Sequence, residues 1–590
     1  MRIANCSGFY GDRLSAAREM IDGGPIDYLT GDYLAELTMA VLWRTRHGRP
    51  GVGYARTFLT QIEDILGSCV ERGIRVVVNA GGLDPHGLAK AVQSVADDAG
   101  LSPLVATVAG DDLMGRIDQL DITSFADATP FSEAGIEPIT ANAYLGCWGI
   151  VEALSAGADI VVTGRVTDAA LVMGPAAHHF GWARDQWDPL AGALVAGHVI
   201  ECGAQATGGN FSFFTEVPGL EHPGFPLVEM AADGSFVVTK HPETGGLVSV
   251  ETVTAQLLYE IGGHRYISPD VIARFDTLTL SPAGTDRVSV TGVRGEPPPH
   301  HLKVAVNYHG GYRNRVSFVL TGLDIEGKAR AAEEALWAAV GGRDQFADTH
   351  VDLVRWDRPD PARNEDAMAQ LRISVKDPDQ SRVGRSFTSA AVELALSNYP
   401  GFFTTEPPAD ASPYAVYWPA FVDPAHVPAL VTIDGTTTEV PSDVPGASPI
   451  TTDVDIAEPE WRADEATELV PLGWLAGTRS GDKGGDANVG VWVRRPEWFG
   501  WLASSLTVEG FRSLVPEAVD LEVDRYVFPN LSALNFVVRG LLGEGVASST
   551  RVDPQAKSLG EYLRARLVEV PSGWVQGTGV RPGGTISTDT

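Results

Sequence analysis

Five turns in the N-terminal third of the chain join glycine to side chains that can hold or move a proton. They are Asn5-Cys6-Ser7-Gly8, Thr30-Gly31-Asp32, Asn79-Ala80-Gly81-Gly82 with Asp84 behind it, Ala109-Gly110-Asp111, and Thr163-Gly164-Arg165 with Asp168 one helical step on. Asp32, Asp111 and Asp168 are candidate acids or bases, and their carboxylates could equally hold a cation. Arg165 offers a planar fork that fits a carboxylate or a phosphate. Ser7, Gly8, Gly31, Asn79, Gly81, Gly82, Gly110 and Gly164 are candidate ligand-binding positions, because glycine lets a backbone approach a ligand closely. A plainer reading stands beside this one. Each Asp can be a helix N-cap and each glycine an ordinary strand-to-helix turn. What favours a site is that all five turns occupy the same kind of place.

That place is the end of a strand. Short apolar runs predict strands at 2–6, 26–29, 74–79 (IRVVVN), 104–108 and 159–163 (DIVVT). Continuous Val/Ile runs mark strands covered on both faces. Helical patterns fall between them at 13–20, 33–46, 57–72, 87–98 and 144–156. The alternation predicts an α/β fold whose N-terminal part, 1–205, is a doubly wound, mostly parallel sheet of Rossmann-like type. Ligands of such sheets sit beyond the carboxyl ends of the strands, where the five turns lie.

After residue 205 the texture changes. Residues 206–445 read as an α+β region with strands at 302–307, 315–321 and 349–356 and helices at 326–339 and 386–396. Pro, Ser, Thr and Asp dominate 446–470, a linker. Residues 471–570 form a small α+β domain with strands at 473–478, 487–493, 521–528 and 533–538, followed by a tail at 571–590. Two further glycine clusters stand out, 201–210 (ECGAQATGGN) and 478–490 (TRSGDKGGDANVG). The second reads as a long hairpin loop. It gathers Arg479, Lys483 and Asn488 with two carboxylates, chemistry that suits a phosphate with Mg²⁺. So much glycine needs an outside contact to stay ordered. The C-terminal domain is therefore expected to complete the site or an oligomer interface.

The formal net charge of −32 argues against binding nucleic acid or an anionic membrane surface. Cys6, Cys69, Cys147 and Cys202 are scattered with no CxxC pair, which fits a reducing cytoplasm and gives no structural metal site. Cys6 reads as a small buried apolar residue and His178-His179 as helix packing. The start of the chain lacks the apolar core of a secretory signal, and no run of about 18 apolar residues occurs. Residues 51–56 (GVGYAR) follow a loop rather than a strand and lack a third glycine, so they are no dinucleotide motif.

The segments RIANCSGFYGDR, DYLTGDYLAELTM, VVVNAGGLDPHGL, ADIVVTGRVTDAALVMGP, SVETVTAQLLYEIG, TRSGDKGGDANVGVWV and DPQAKSLGEYL occur in this order along the chain. On them the sequence resembles the acyclic terpene utilisation (AtuA) family. The resemblance implies a large AtuA module and a C-terminal domain of ferredoxin-like fold. It also implies a place in the breakdown of acyclic terpenoids through branched acyl-CoA intermediates. The expected protein is a cytoplasmic, homo-oligomeric lyase or hydratase acting on a hydroxyacyl-CoA or related acid, with Mg²⁺ as an optional partner. The alternative is a non-catalytic protein that binds an intermediate or organises the pathway's enzymes. A strand-end arginine seldom adds much stability, so Arg165→Ala is expected to remove function and spare the fold.

Overall fold

The five apolar runs of the N-terminal part become neighbours in one sheet. The computed structural model describes residues 1–48, 52–444, 446–447, 454, 456–461 and 466–577. Its central strands are β1 (Arg2–Asn5), β2 (Tyr28–Gly31), β3 (Arg75–Val78), β4 (Val105–Ala109) and β5 (Ile160–Thr163), hydrogen-bonded in the order β1-β2-β3-β5-β4 and all parallel. Alternate residues of these strands enter two separate cores. Ala4, Leu29, Val76, Val78 and Ile160 meet Phe58, Ile62 and Ile65 of the helix Arg56–Arg72 and Leu88 and Val92 of the helix Pro85–Asp98. Ile3, Tyr28, Val77 and Val161 meet Ile150, Leu171 and Leu194 from three other helices. Each such side chain, fully buried, contributes roughly 1.5–3 kcal/mol.

The parallel part is confined to this centre. Antiparallel strands extend both sides, Pro226–Met230, Phe236–Lys240, Arg287–Thr291 and Thr279–Pro282 beyond β1, and Ala429–Ile433 with Thr436–Val440 beyond β4. The sheet thus has 11 strands, drawn from both sides of the break expected near residue 205. The chain divides instead into a larger unit, Met1–Asn307, Tyr417–Val546 and Asp553–Thr590, and a smaller one, Tyr308–Val416 with Ala547–Val552. In the smaller unit, Asp348–Arg355 pairs with Met368–Asp377, and Ile325, Ala332 and Leu336 of one helix pack on Phe318, Leu371 and Ile373. The two strands expected at 302–307 and 315–321 are one strand, Leu302–Thr321.

Two helices escape a reading by periodicity. Ala170–Phe180 and Trp187–Ile200 are rich in Ala, Gly and Val, and every residue from Leu190 to Ile200 is buried. A helix covered all round carries no polar face to mark its period. Within the larger unit the C-terminal region forms a four-stranded antiparallel sheet. Its supposed long loop is mostly strand. Ala476–Lys483 pairs along its length with Asp486–Val493, and the chain reverses at Gly484-Gly485, with Gly484 at φ +65°. Gly51, much of 446–470 and the tail from 578 onward lie outside the described residues. Among the described residues, no helix is long and apolar enough to cross a membrane.

The turn after β3 can be tested against a helix of the same core. A Cβ on Gly81 would stand 2.4 Å from the Thr163 carbonyl oxygen and 2.8 Å from Pro85 Cα, both backbone atoms. Gly81→Ala should therefore cost about 1–3 kcal/mol. Gly67, exposed within Arg56–Arg72, has nothing within 4 Å, and Gly67→Ala should stabilise by about 0.5–1 kcal/mol. Denaturant midpoints of the two variants should move in opposite directions.

Candidate functional site

Beyond β2 the chain turns through Asp32, which is buried. Its Oδ1 accepts from the Asn79 side-chain amide at 2.6 Å and from the Leu34 N–H at 3.1 Å. Asn79, at the end of β3, also accepts from the Tyr33 N–H at 2.8 Å. One asparagine therefore fixes the turns after two strands. Beyond β4, Asp111 Oδ2 accepts from the Arg165 N–H at 2.9 Å and from Asn142 at 2.8 Å, which ties the ends of β4 and β5 together.

Arg165 links the rest. It is only 3% exposed. Its Nη1 donates to the Leu34 carbonyl at 3.1 Å and stands 3.1 Å from Asp168 Oδ1. Its guanidinium lies over the Tyr144 ring, 4.2 Å from the centroid, and Lys303 approaches the same ring at 4.6 Å. The structure thus brings together Asp32, Asn79, Asp111, Arg165 and Asp168 at neighbouring strand ends. The burial of Arg165 overturns the expectation that its truncation would spare the fold. Arg165→Ala would leave a cavity and deprive Asp168 of its cation.

The electrostatics follow from burial. Asp32 is pushed well above the usual carboxylate range, first by loss of water and then by Asp168; Arg165 and Asn79 oppose this. Asp111 rises from 3.8 to about 7 because it is buried, against the hydrogen bonds from Arg165 and Asn142. A third acid, Glu201, is raised for the same first cause, with Asp168 and Glu260 adding to it. The sequence marks Glu201 only as the head of the glycine cluster 201–210, not as a candidate acid. The available signal was a lone acid closing a long apolar segment, three residues after His198. Burial also lifts the Cys6 thiol to about 12, which keeps it protonated.

The glycines divide. Gly8 lies against the Cys202 backbone, where a Cβ would stand 2.6 Å from a carbonyl carbon, and Gly164 lies against the Asp111 carboxylate. Gly31 packs under the Tyr33 ring. Gly82 instead faces Leu42 and Gly53, and Gly110 faces the Pro428 carbonyl, so these two serve packing. Ser7 donates to the Phe9 carbonyl at 3.0 Å, and Asp84 is a helix N-cap, accepting from the Gly87 N–H at 2.8 Å.

The C-terminal cations and amide lie against residues 205–260. Arg479 donates to the Asn210 carbonyl at 3.0 Å and to the Gln205 side chain, and stacks 4.3 Å from the Tyr259 centroid. Lys483 donates to the Glu260 carbonyl at 2.9 Å, and Asn488 accepts from the Glu260 N–H at 2.7 Å. Asn488 is fully buried and acts as a bracket. The two carboxylates expected to favour Mg²⁺ have cationic neighbours of their own. Asp486 pairs with Arg539 at 2.7 Å, and Asp482 lies 3.9 Å from Lys557. Among the described residues, no group of three His, Cys, Asp or Glu side chains is placed to hold a metal ion.

Comparison with known proteins gives two matches. The model of the family described as acyclic terpene utilisation family protein AtuA matches residues 1–433, and that of the AtuA ferredoxin-like domain matches residues 470–569. No curated protein matches the chain.

Asp111 makes the buried charge measurable. Its folded value lies above its unfolded one, so its contribution to stability is full below about 3.8 and is lost as pH rises through about 7. Asp111→Asn can still accept both hydrogen bonds and carries no charge. Measured by denaturation between about pH 4 and pH 8, the variant should gain on the native chain as pH rises, by a few kcal/mol at roughly 1.4 kcal/mol per unit. A difference independent of pH would mean that Asp111 ionises as an exposed carboxylate does.

Proposed function

We propose, from the premise that the chain belongs to the AtuA family, that it is an enzyme of acyclic terpenoid breakdown that adds or removes water on a branched hydroxyacyl-CoA or a related acid. The family match covers most of the chain and supports the association with terpene utilisation. One observation supports the reaction class. The buried Arg165 cation, an acid that favours its proton and a carboxylate paired to the cation share one cluster of strand ends.

Dehydration of a hydroxyacyl thioester needs these three parts. A base removes the proton from the carbon next to the thioester. The C–H electron pair forms the new C=C bond, and the C–O bond breaks toward oxygen. An acid gives a proton to that oxygen, which leaves as water. Asp168, held 3.1 Å from Arg165, suits the base. The guanidinium steadies the charge that develops on the thioester oxygen. A buried protonated carboxyl group is the acid. Hydration is the same path in reverse.

The test uses the purified full chain and branched 3-hydroxyacyl-CoA thioesters, with the enoyl thioester followed by its absorbance. Turnover should saturate. Arg165→Lys keeps the charge but loses the fork, and should lower kcat/KM by about 10²–10³. Tight binding with no turnover by the native chain would establish the alternative, a ligand-binding or scaffold protein.

A further inference from the structure

Glu201 closes the helix Trp187–Ile200, its N–H donating to the Gly197 carbonyl at 2.8 Å. Its own carbonyl accepts from the Asn5 side chain at 3.1 Å, and the next residue, Cys202, packs its backbone on Gly8. The acid is thereby locked to the end of β1. Its side chain is 10% exposed. Oε1 stands 3.2 Å from His198 Nδ1, one turn back on the same helix. Oε2 is shielded from water and has no hydrogen-bond partner among the described residues.

His198 cannot neutralise Glu201 as a cation. Its ring is 1% exposed and boxed by Tyr266 and Phe275, at centroid distances of 4.8 and 5.6 Å. Burial lowers it to about 4, so the imidazole is neutral near pH 7. Four charged groups outside the helix act on Glu201. Asp168 and Glu260 oppose its ionisation, and Arg165 and Lys483 favour it. Asp32 feels the Glu201 charge in turn. The helix C-terminus adds its own negative end. Asp32, one of the three candidate acids offered by the sequence, differs in one respect: its Oδ1 already takes two hydrogen bonds that hold its turn.

We propose that Glu201 is the proton donor of this site, its Oε2–H delivering the proton to the departing hydroxyl oxygen. The proposal rests on the dehydration reading above. When the C–O bond breaks, its electron pair stays with oxygen, the Glu201 proton joins that oxygen and water leaves. Glu201 is left as a carboxylate, with Arg165 the nearby cation.

Infrared difference spectra of the full chain near neutral pH, native against Glu201→Gln and native against Asp32→Asn, provide a test that needs no substrate. The Glu201→Gln difference should show loss of a protonated carboxyl band, and that band should vanish from the native chain as pH rises. With hydroxyacyl-CoA, Glu201→Gln should lose at least about 100-fold in kcat with little change in KM, and Glu201→Asp should restore part of it. Native melting temperatures establish that the variants fold. If Glu201→Gln keeps native kcat, or removes no carboxyl band, the assignment is overturned while the dehydration reading stands. If the native chain turns over no hydroxyacyl-CoA, the dehydration reading itself falls.

Discussion

A single guanidinium, taken almost wholly out of water, organises the strand ends. Removing Arg165 from solvent is costly unless its donors are met and its charge is matched. The surrounding chain does both. The Leu34 carbonyl comes from the turn after β2, Asp168 from the helix after β5, and the Tyr144 face from the segment before another helix. Asp111 takes the Arg165 backbone N–H. Three turns that belong to different strands are thus bound to one residue. Nearby carboxyl groups outnumber this cation, and burial together with their mutual repulsion shifts Asp32 and Glu201 toward the protonated form. The same shortage of water that makes the cluster costly is what raises its buried acids above the usual carboxylate range.

Much of this was legible in the sequence, for identifiable reasons. IRVVVN and DIVVT read as strands buried on both faces, and they became β3 and β5. Their polar ends followed from that placement, and Asp32, Asn79, Asp111 and Arg165 do share bonds. Glycine was less informative. Gly8 and Gly164 lie against the cluster, whereas Gly82 and Gly110 satisfy packing against Leu42 and Pro428, and both sorts look alike in a sequence. Glu201 was hidden because the helix before it is apolar all round, so neither its period nor its facing could be read. The burial of Arg165 depended on Leu34 and Tyr144, contacts that no local pattern announces.

The C-terminal hairpin illustrates a second limit. Its glycines and charges read as a ligand loop, but the segment is almost entirely paired strand. Arg479 and Lys483 meet carbonyls of Asn210 and Glu260 because those carbonyls lie in irregular backbone with no strand partner to satisfy them. Ser212 adds a reciprocal pair, donating to the Thr478 carbonyl at 2.8 Å and accepting from its N–H at 2.9 Å. Arg494 reaches both Glu216 and Glu251, at 2.7 and 2.9 Å. Charged side chains here replace the ladder that a continuous sheet would have supplied. They make the region matched by the ferredoxin-like model part of the larger unit.

The strand that completes one side of the sheet arrives late. Ala429–Ile433 pairs antiparallel with β4, from Leu430 opposite Ala109 to Ile433 opposite Ala106, roughly three hundred residues after β4 itself. A ribosome adds about 5–20 residues per second, so β4 leaves the tunnel some 15–60 seconds before its partner. Throughout that interval the nascent sheet presents an open row of N–H and C=O groups beside Val108, the kind of edge that recruits foreign strands. For this chain the order of synthesis bears on folding as well as stability, because the edge beside β4 stays open until Ala429–Ile433 has been made.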